Sequence, residues 1–133
     1  MSAIATEEAQ RLLRIAKADH AACIALLGAH GVRFANAAFH GQQAVEKALK
    51  AVLTYRGANM GRTHNLLALS GQLKEAGETP PGTDEQLSLL NPYAVTLRYD
   101  DIDIELMSEQ SLRFVVESVI GWAECVIADQ PDS

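Results

Sequence analysis

Apolar residues return at three- and four-residue intervals along nearly the whole chain, and no run alternates apolar with polar, so the pattern predicts helices and no strand. The expected fold is all-α, an antiparallel bundle of about five helices around a four-helix core. The first helix is predicted to start after Thr6, an N-cap followed by Glu7 and Glu8 in the first turn, and to stop near Gly28 to Gly31. The second runs from about Val32 to Tyr55, with Gly57 as its stop. Thr63 is the expected cap of the third, whose Leu66, Leu69 and Leu73 form a short stripe ending near Gly77. Thr83-Asp84-Glu85-Gln86 fits a capping box, so a fourth helix begins there and runs towards Tyr99, kinked or interrupted by Pro92. The fifth follows the acidic stretch Asp100 to Glu105 and carries Leu112, Val115, Val119, Trp122 and Val126 on one face.

The second helix stands out because it has two organised faces. Phe34, Ala38, Gly41, Val45, Ala48, Leu49 and Val52 make an apolar stripe, edged by the small residues Ala37, Ala44 and Ala51. Such small side chains suit a close helix crossing or a subunit seam. Asn36, His40, Gln43, Lys47, Lys50 and Thr54 gather on the opposite side. His40, Gln43 and Lys47 follow one another at three- and four-residue spacing, so their polar tips converge; Glu46 falls to one side of that row.

Length and composition narrow the function classes. A chain of 133 residues, 48% hydrophobic and 21% charged, is expected to form a single domain, 1–133 with a core of about 6–128. Disorder is expected only at Met1 to Ala5 and Gln130 to Ser133. The formal charge of -6 has the wrong sign for coating a nucleic-acid backbone, although Lys47, Lys50, Arg56 and Arg62 make a local basic patch. Cys23 and Cys125 lie beside aliphatic residues outside any paired ligand spacing, so both are expected to be buried, reduced thiols. No metal site is expected, since the four histidines show no close pair and Asp100-Asp101-x-Asp103-x-Glu105 lacks the glycine of a calcium loop. The longest apolar stretch, Ala21 to Ala29, is too short for a bilayer, and a cytoplasmic location without membrane contact is expected.

Several polar residues need a reason for their positions. Asp19 and His20 project into the arc of Leu12, Leu13, Ala16, Cys23 and Leu27, where burial without a partner is costly. They belong to helix–helix hydrogen bonds or to a cleft. His64 follows the expected cap of the third helix, close to backbone donors that attract a phosphate, with Arg62 two residues away. Arg98 offers a planar fork for a phosphate or for a carboxylate such as Asp19, Glu46 or Asp100.

Phe39-His40-x-Gln42-Gln43-Ala44-x-Glu46-Lys47-Ala48-Leu49-Lys50, then Arg56-Gly57, Thr63-His64-Asn65-Leu66, Tyr93 and Arg98-Tyr99, closely resemble the signature of HEPN domains over about residues 10 to 128. HEPN domains are small helical proteins often found beside minimal nucleotidyltransferases in prokaryotes. The resemblance implies a homodimer, a minimal nucleotidyltransferase as partner, a nucleotide or RNA as ligand and no required cofactor. Asp19, His40, Gln43, Glu46, Lys47, Arg62 and Tyr99 are the candidate ligand or partner cleft. Several HEPN families cut RNA with an Arg-x4-6-His motif near the last long helix, and no histidine follows Arg98 or Arg113 here. Arg14-x5-His20 and Arg33-x6-His40 match its form but lie in the first two helices. The leading expectation is therefore a domain that binds a nucleotide or docks a nucleotidyltransferase in a toxin-antitoxin-like pair. The alternatives are a metal-independent ribonuclease toxin whose active site forms at the dimer interface, with Arg98 and His64 catalytic, and a non-catalytic interaction module.

Overall fold

In the computed structural model, residues 3–58, 61–94 and 105–128 are described. Five α-helices follow in order: α1 Ala3–Leu27, α2 Phe34–Tyr55, α3 Leu66–Glu75, α4 Asp84–Leu90 and α5 Glu109–Ala128, with a 3-10 turn over Asn91–Ala94. No strand occurs among the described residues, so the all-α antiparallel bundle expected from the pattern is the fold.

Helix α2 is the hub, and its composition explains why. Fifteen of its 22 residues are buried, far more than a one-faced surface helix hides. It packs against α1, α5, α3, α4 and the 3-10 turn. The small side chains make this crowding feasible: an added Cβ at Gly41 would lie 2.8 Å from Leu112 Cδ1, 3.2 Å from Val116 Cγ2 and 3.4 Å from Cys23 Sγ. The small-residue row thus serves a crossing of α1, α2 and α5 within one chain. Across α1 and α5, Lys17 Nζ meets Glu124 Oε2 at 2.6 Å while His20 Nε2 lies 3.8 Å from Glu117 Oε2, which fixes the two helices as antiparallel.

The glycine stops work as expected. Gly57 (φ 74°) and Gly77 (φ 87°) sit just past α2 and α3 in the left-handed region. Ala58 N donates to Leu53 O and Gly57 N to Thr54 O; Glu78 N donates to Leu73 O and Gly77 N to Lys74 O. Both ends are therefore Schellman caps that satisfy the last carbonyls. The capping box at Thr83 and Gln86 is present in both directions.

Several local expectations are corrected. Helix α1 begins at Ala3, so Thr6 lies inside the helix and Ala3 to Ala5 are helical; Met1 and the stretch from Gln130 to Ser133 lie outside the described residues. Asn65 caps α3, its Oδ1 accepting from Leu67 N and Ala68 N, while Thr63 Oγ1 accepts only from Asn65 N. Asparagine is the stronger cap, and the competing threonine is used in the turn before it. Helix α4 stops at Leu90, because Pro92 removes a donor the α-helix needs and the chain tightens into the 3-10 turn; its predicted course to Tyr99 passes into residues outside the described set. Cys125 is exposed on α5, whereas Cys23 is buried. The buried stripe of α5 runs through Leu112, Val115, Val116, Val119, Ile120, Ala123 and Ile127, which turns position 125 outward and leaves Trp122 and Val126 partly buried against the core.

Candidate functional site

The polar side of α2 is walled rather than solvated. Side-chain exposure is 1% for Glu46, 12% for Lys50, 24% for Lys47 and 33% for His40, so these groups form a half-covered polar face that α1 meets at His40 and the loop leading into α3 meets at Glu46.

Glu46 is the centre of that face. Its Oε2 accepts from Lys50 Nζ at 3.0 Å and from His64 Nδ1 at 2.8 Å, and its Oε1 accepts from Gln42 Nε2 at 3.1 Å. Lys47 Nζ lies 3.6 Å from Oε2. A buried carboxylate without such donors would be prohibitively costly, and here all its partners come from one turn of α2 on either side plus one loop histidine. Burial pushes the Glu46 carboxyl up, but the bonds from His64, Lys50 and Gln42 and the charge of Lys47 outweigh it and hold the group below the usual glutamate value. The network extends along the helix: Gln43 Nε2 donates to Gln42 Oε1 at 2.7 Å and Lys47 Nζ to Gln43 Oε1 at 3.2 Å.

Because the ionised carboxylate only accepts, His64 carries its proton on Nδ1 and turns Nε2 outward. Its side chain is 72% exposed. The backbone donors of the α3 terminus beside it are not open, as the sequence had suggested they would be. Leu66 N is taken by Asn91 Oδ1, and Leu67 N and Ala68 N by Asn65 Oδ1, so those donors are occupied by protein. The cation of the Glu46 network that reaches solvent most is Lys47, 24% exposed.

The remaining sequence-predicted residues fall elsewhere. Asp19 and His40 pair across α1 and α2, Nδ1 donating to Oδ1 at 3.1 Å, with the His40 ring edge-on to Phe39 at 5.2 Å. Both are half-buried, so Asp19 makes a helix–helix hydrogen bond of the kind its position demanded, whereas His20 Nε2 is buried 3.8 Å from Glu117 Oε2 with no hydrogen-bond partner among the described residues. Gln43, Glu46, Lys47 and His64 form one connected network, and the Asp19–His40 pair stands beside it as a second. Arg62 is exposed in the turn ahead of α3. Arg98 and Tyr99 lie outside the described residues. Lys50 and Gln42 complete the network and were not among the expected site residues; their i±4 spacing from Glu46 is the signal that points to them. Among the described residues no group of three His, Cys, Asp or Glu side chains is placed to hold a metal, and no helix is long and apolar enough to cross a membrane.

An α-helical bundle with a cluster of ion pairs on the polar face of its central helix is the class of protein this geometry defines. The profile of the HEPN domain matches residues 9–127, nearly the whole chain, and the chain belongs to that family. No significant match is found among curated proteins or among solved structures.

Proposed function

We propose that this HEPN-domain protein binds the phosphate end of a nucleotide at this polar face of α2 and acts beside a minimal nucleotidyltransferase in a toxin-antitoxin-like pair. The observation that carries this reading is the charge balance around Glu46. Two lysines and a histidine share one buried carboxylate, which leaves a positive surplus on that face in a chain of net charge -6. Lys47 and the outward Nε2 of His64 are the groups that reach solvent. A phosphate there gains a charge-assisted hydrogen bond from Lys47 and meets Nε2 of His64, which donates once the ring takes up a second proton.

Calorimetry of the purified chain against ATP, ADP and AMP tests the proposal. Binding is expected to weaken with added salt and to fall about tenfold in Lys47→Ala, the loss of one charge-assisted bond. Silence with every nucleotide overturns it. Co-purification with the product of an adjacent nucleotidyltransferase gene tests the partner separately.

The Glu46–His64 contact favours one other reading, a metal-independent ribonuclease. A carboxylate that fixes Nδ1–H leaves Nε2 free to accept or return a proton, the role of an imidazole in general acid–base catalysis. That reading predicts RNA cleavage in the presence of chelator, abolished by His64→Ala, and growth arrest on expression. A chain that is harmless and cleaves no RNA removes it and leaves a binding or interaction module, paired with itself or with another protein.

A further inference from the structure

His64 owes its position to very little of its own packing. It is largely exposed and held by a single bond to Glu46, so the loop that carries it must be fixed by something else. Helix α3 begins two residues later, and whatever fixes its first turn fixes the histidine. Asn65 caps that turn from within the loop. The remaining grip comes from a distant part of the chain. Asn91 Oδ1 accepts from Leu66 N at 2.9 Å, and Asn91 Nδ2 donates to Asn65 Oδ1 at 3.0 Å, so one amide holds both the cap residue and the first helical residue.

Asn91 stands on a firm base. It closes α4, with its own N–H donating to Leu87 O, and opens the 3-10 turn. Two residues on, Tyr93 is wholly buried, its ring edge-on to Phe34 of α2 at 5.8 Å and its hydroxyl accepting from Leu106 N at 2.9 Å. The side chain of Asn91 therefore transmits the position of the core to the loop beside Glu46.

We propose that Asn91 is a positioning residue that holds His64 against Glu46 and so pre-organises the phosphate-binding face; this rests on the reading of that face given above. Loss of the amide removes one donor and one acceptor from the cap and leaves Leu66 N to water, which loosens the loop without touching any group on that face. His64 then exchanges its bond to Glu46 for solvent.

The test is long-range 1H–15N NMR of the His64 ring in the full chain at pH 8, with ADP affinity measured alongside. In the wild type the ring is expected to be protonated on Nδ1. In Asn91→Ala the ring should shift towards the mixed tautomers of a free imidazole, and ADP affinity should fall about fivefold, as for one neutral hydrogen bond lost from the support. Asn91→Asp keeps the acceptor for Leu66 but deletes the donor to Asn65, so it should fall between the two. A folded Asn91→Ala whose His64 stays on the Nδ1–H form overturns the proposal. If Asn91→Ala fails to fold, an unchanged ring in Asn91→Asp overturns it, and failure of both to fold assigns Asn91 to structure alone and overturns it too. The ring measurement needs no ligand, so a wild type that ignores ADP defeats the nucleotide reading and still judges the brace.

Discussion

Glu46, buried on the polar side of α2, and His64, exposed on a loop eighteen positions away in sequence, share a 2.8 Å hydrogen bond that ties the loop to the helix. Removing the buried partner has two separable consequences. Glu46→Ala is expected to cost about 3 kcal/mol, since Lys50 and Gln42 then point at an empty, half-dry space. Chemical denaturation measures that loss, and an unchanged midpoint would show that the network adds nothing to stability.

The same carboxylate sets a pH dependence. Its pKa in the fold lies below the usual value, so its stabilising contribution is complete above the unfolded-state pKa near 4.5 and is lost as pH falls through the lower folded-state value. The stability gap between wild type and Glu46→Gln should therefore be constant from pH 6 to 8 and shrink only in the acid range, below pH 4.5, in denaturation curves taken across pH. A gap that closes already between pH 6 and 8 would overturn the assignment to Glu46.

The two thiols should differ sharply. Burial pushes Cys23 up to about 11, and Cys125 is exposed on α5. A thiol reagent at pH 8 is expected to modify Cys125 rapidly in the native protein and Cys23 only after unfolding. Equal rates would place Cys23 at the surface.

Gly41→Ala sets helix propensity against space. Alanine gains up to about 1 kcal/mol in a helix interior, but the new Cβ meets Leu112 and Val116, both wholly buried, and overpacking costs about 1–3 kcal/mol. A net loss of about 1 kcal/mol is expected, read as a drop in melting temperature. A rise would mean that Leu112 has room to turn.

The cap of α3 gives a paired test. Asn65→Ala should cost about 1 kcal/mol or more, because it strips acceptors from Leu67 and Ala68 and the partner of Asn91, while Thr63→Ala should cost only a few tenths. Equal losses would return the cap to Thr63.

Helix periods, the glycine stops after α2 and α3, and the capping box of α4 were legible along the chain, because each depends on neighbours within one or two turns. The family signature was legible for the same reason, as a string of residue types in order, and the family profile covers residues 9–127. Choice between Thr63 and Asn65 as a cap, and the outward turn of Cys125, depend on a rotation of one residue, which periodicity does not resolve.

The site divides along the same line. That polar residues collect on one side of α2 is a consequence of 3.6 residues per turn, and the amino-acid order alone was enough for it. Which of them is buried and paired was decided by packing. Glu46 sat to one side of the polar row in projection, and became the hub because it is buried to 1% exposure with the α3 loop bringing His64 onto it. At that buried position an unpaired carboxylate is untenable, so Gln42, Lys50 and His64 turn towards it, while Asp19 and His40 find each other at a separate seam. Pairings between groups far apart in the chain are set by distance in space, and that distance exists only once the helices have packed.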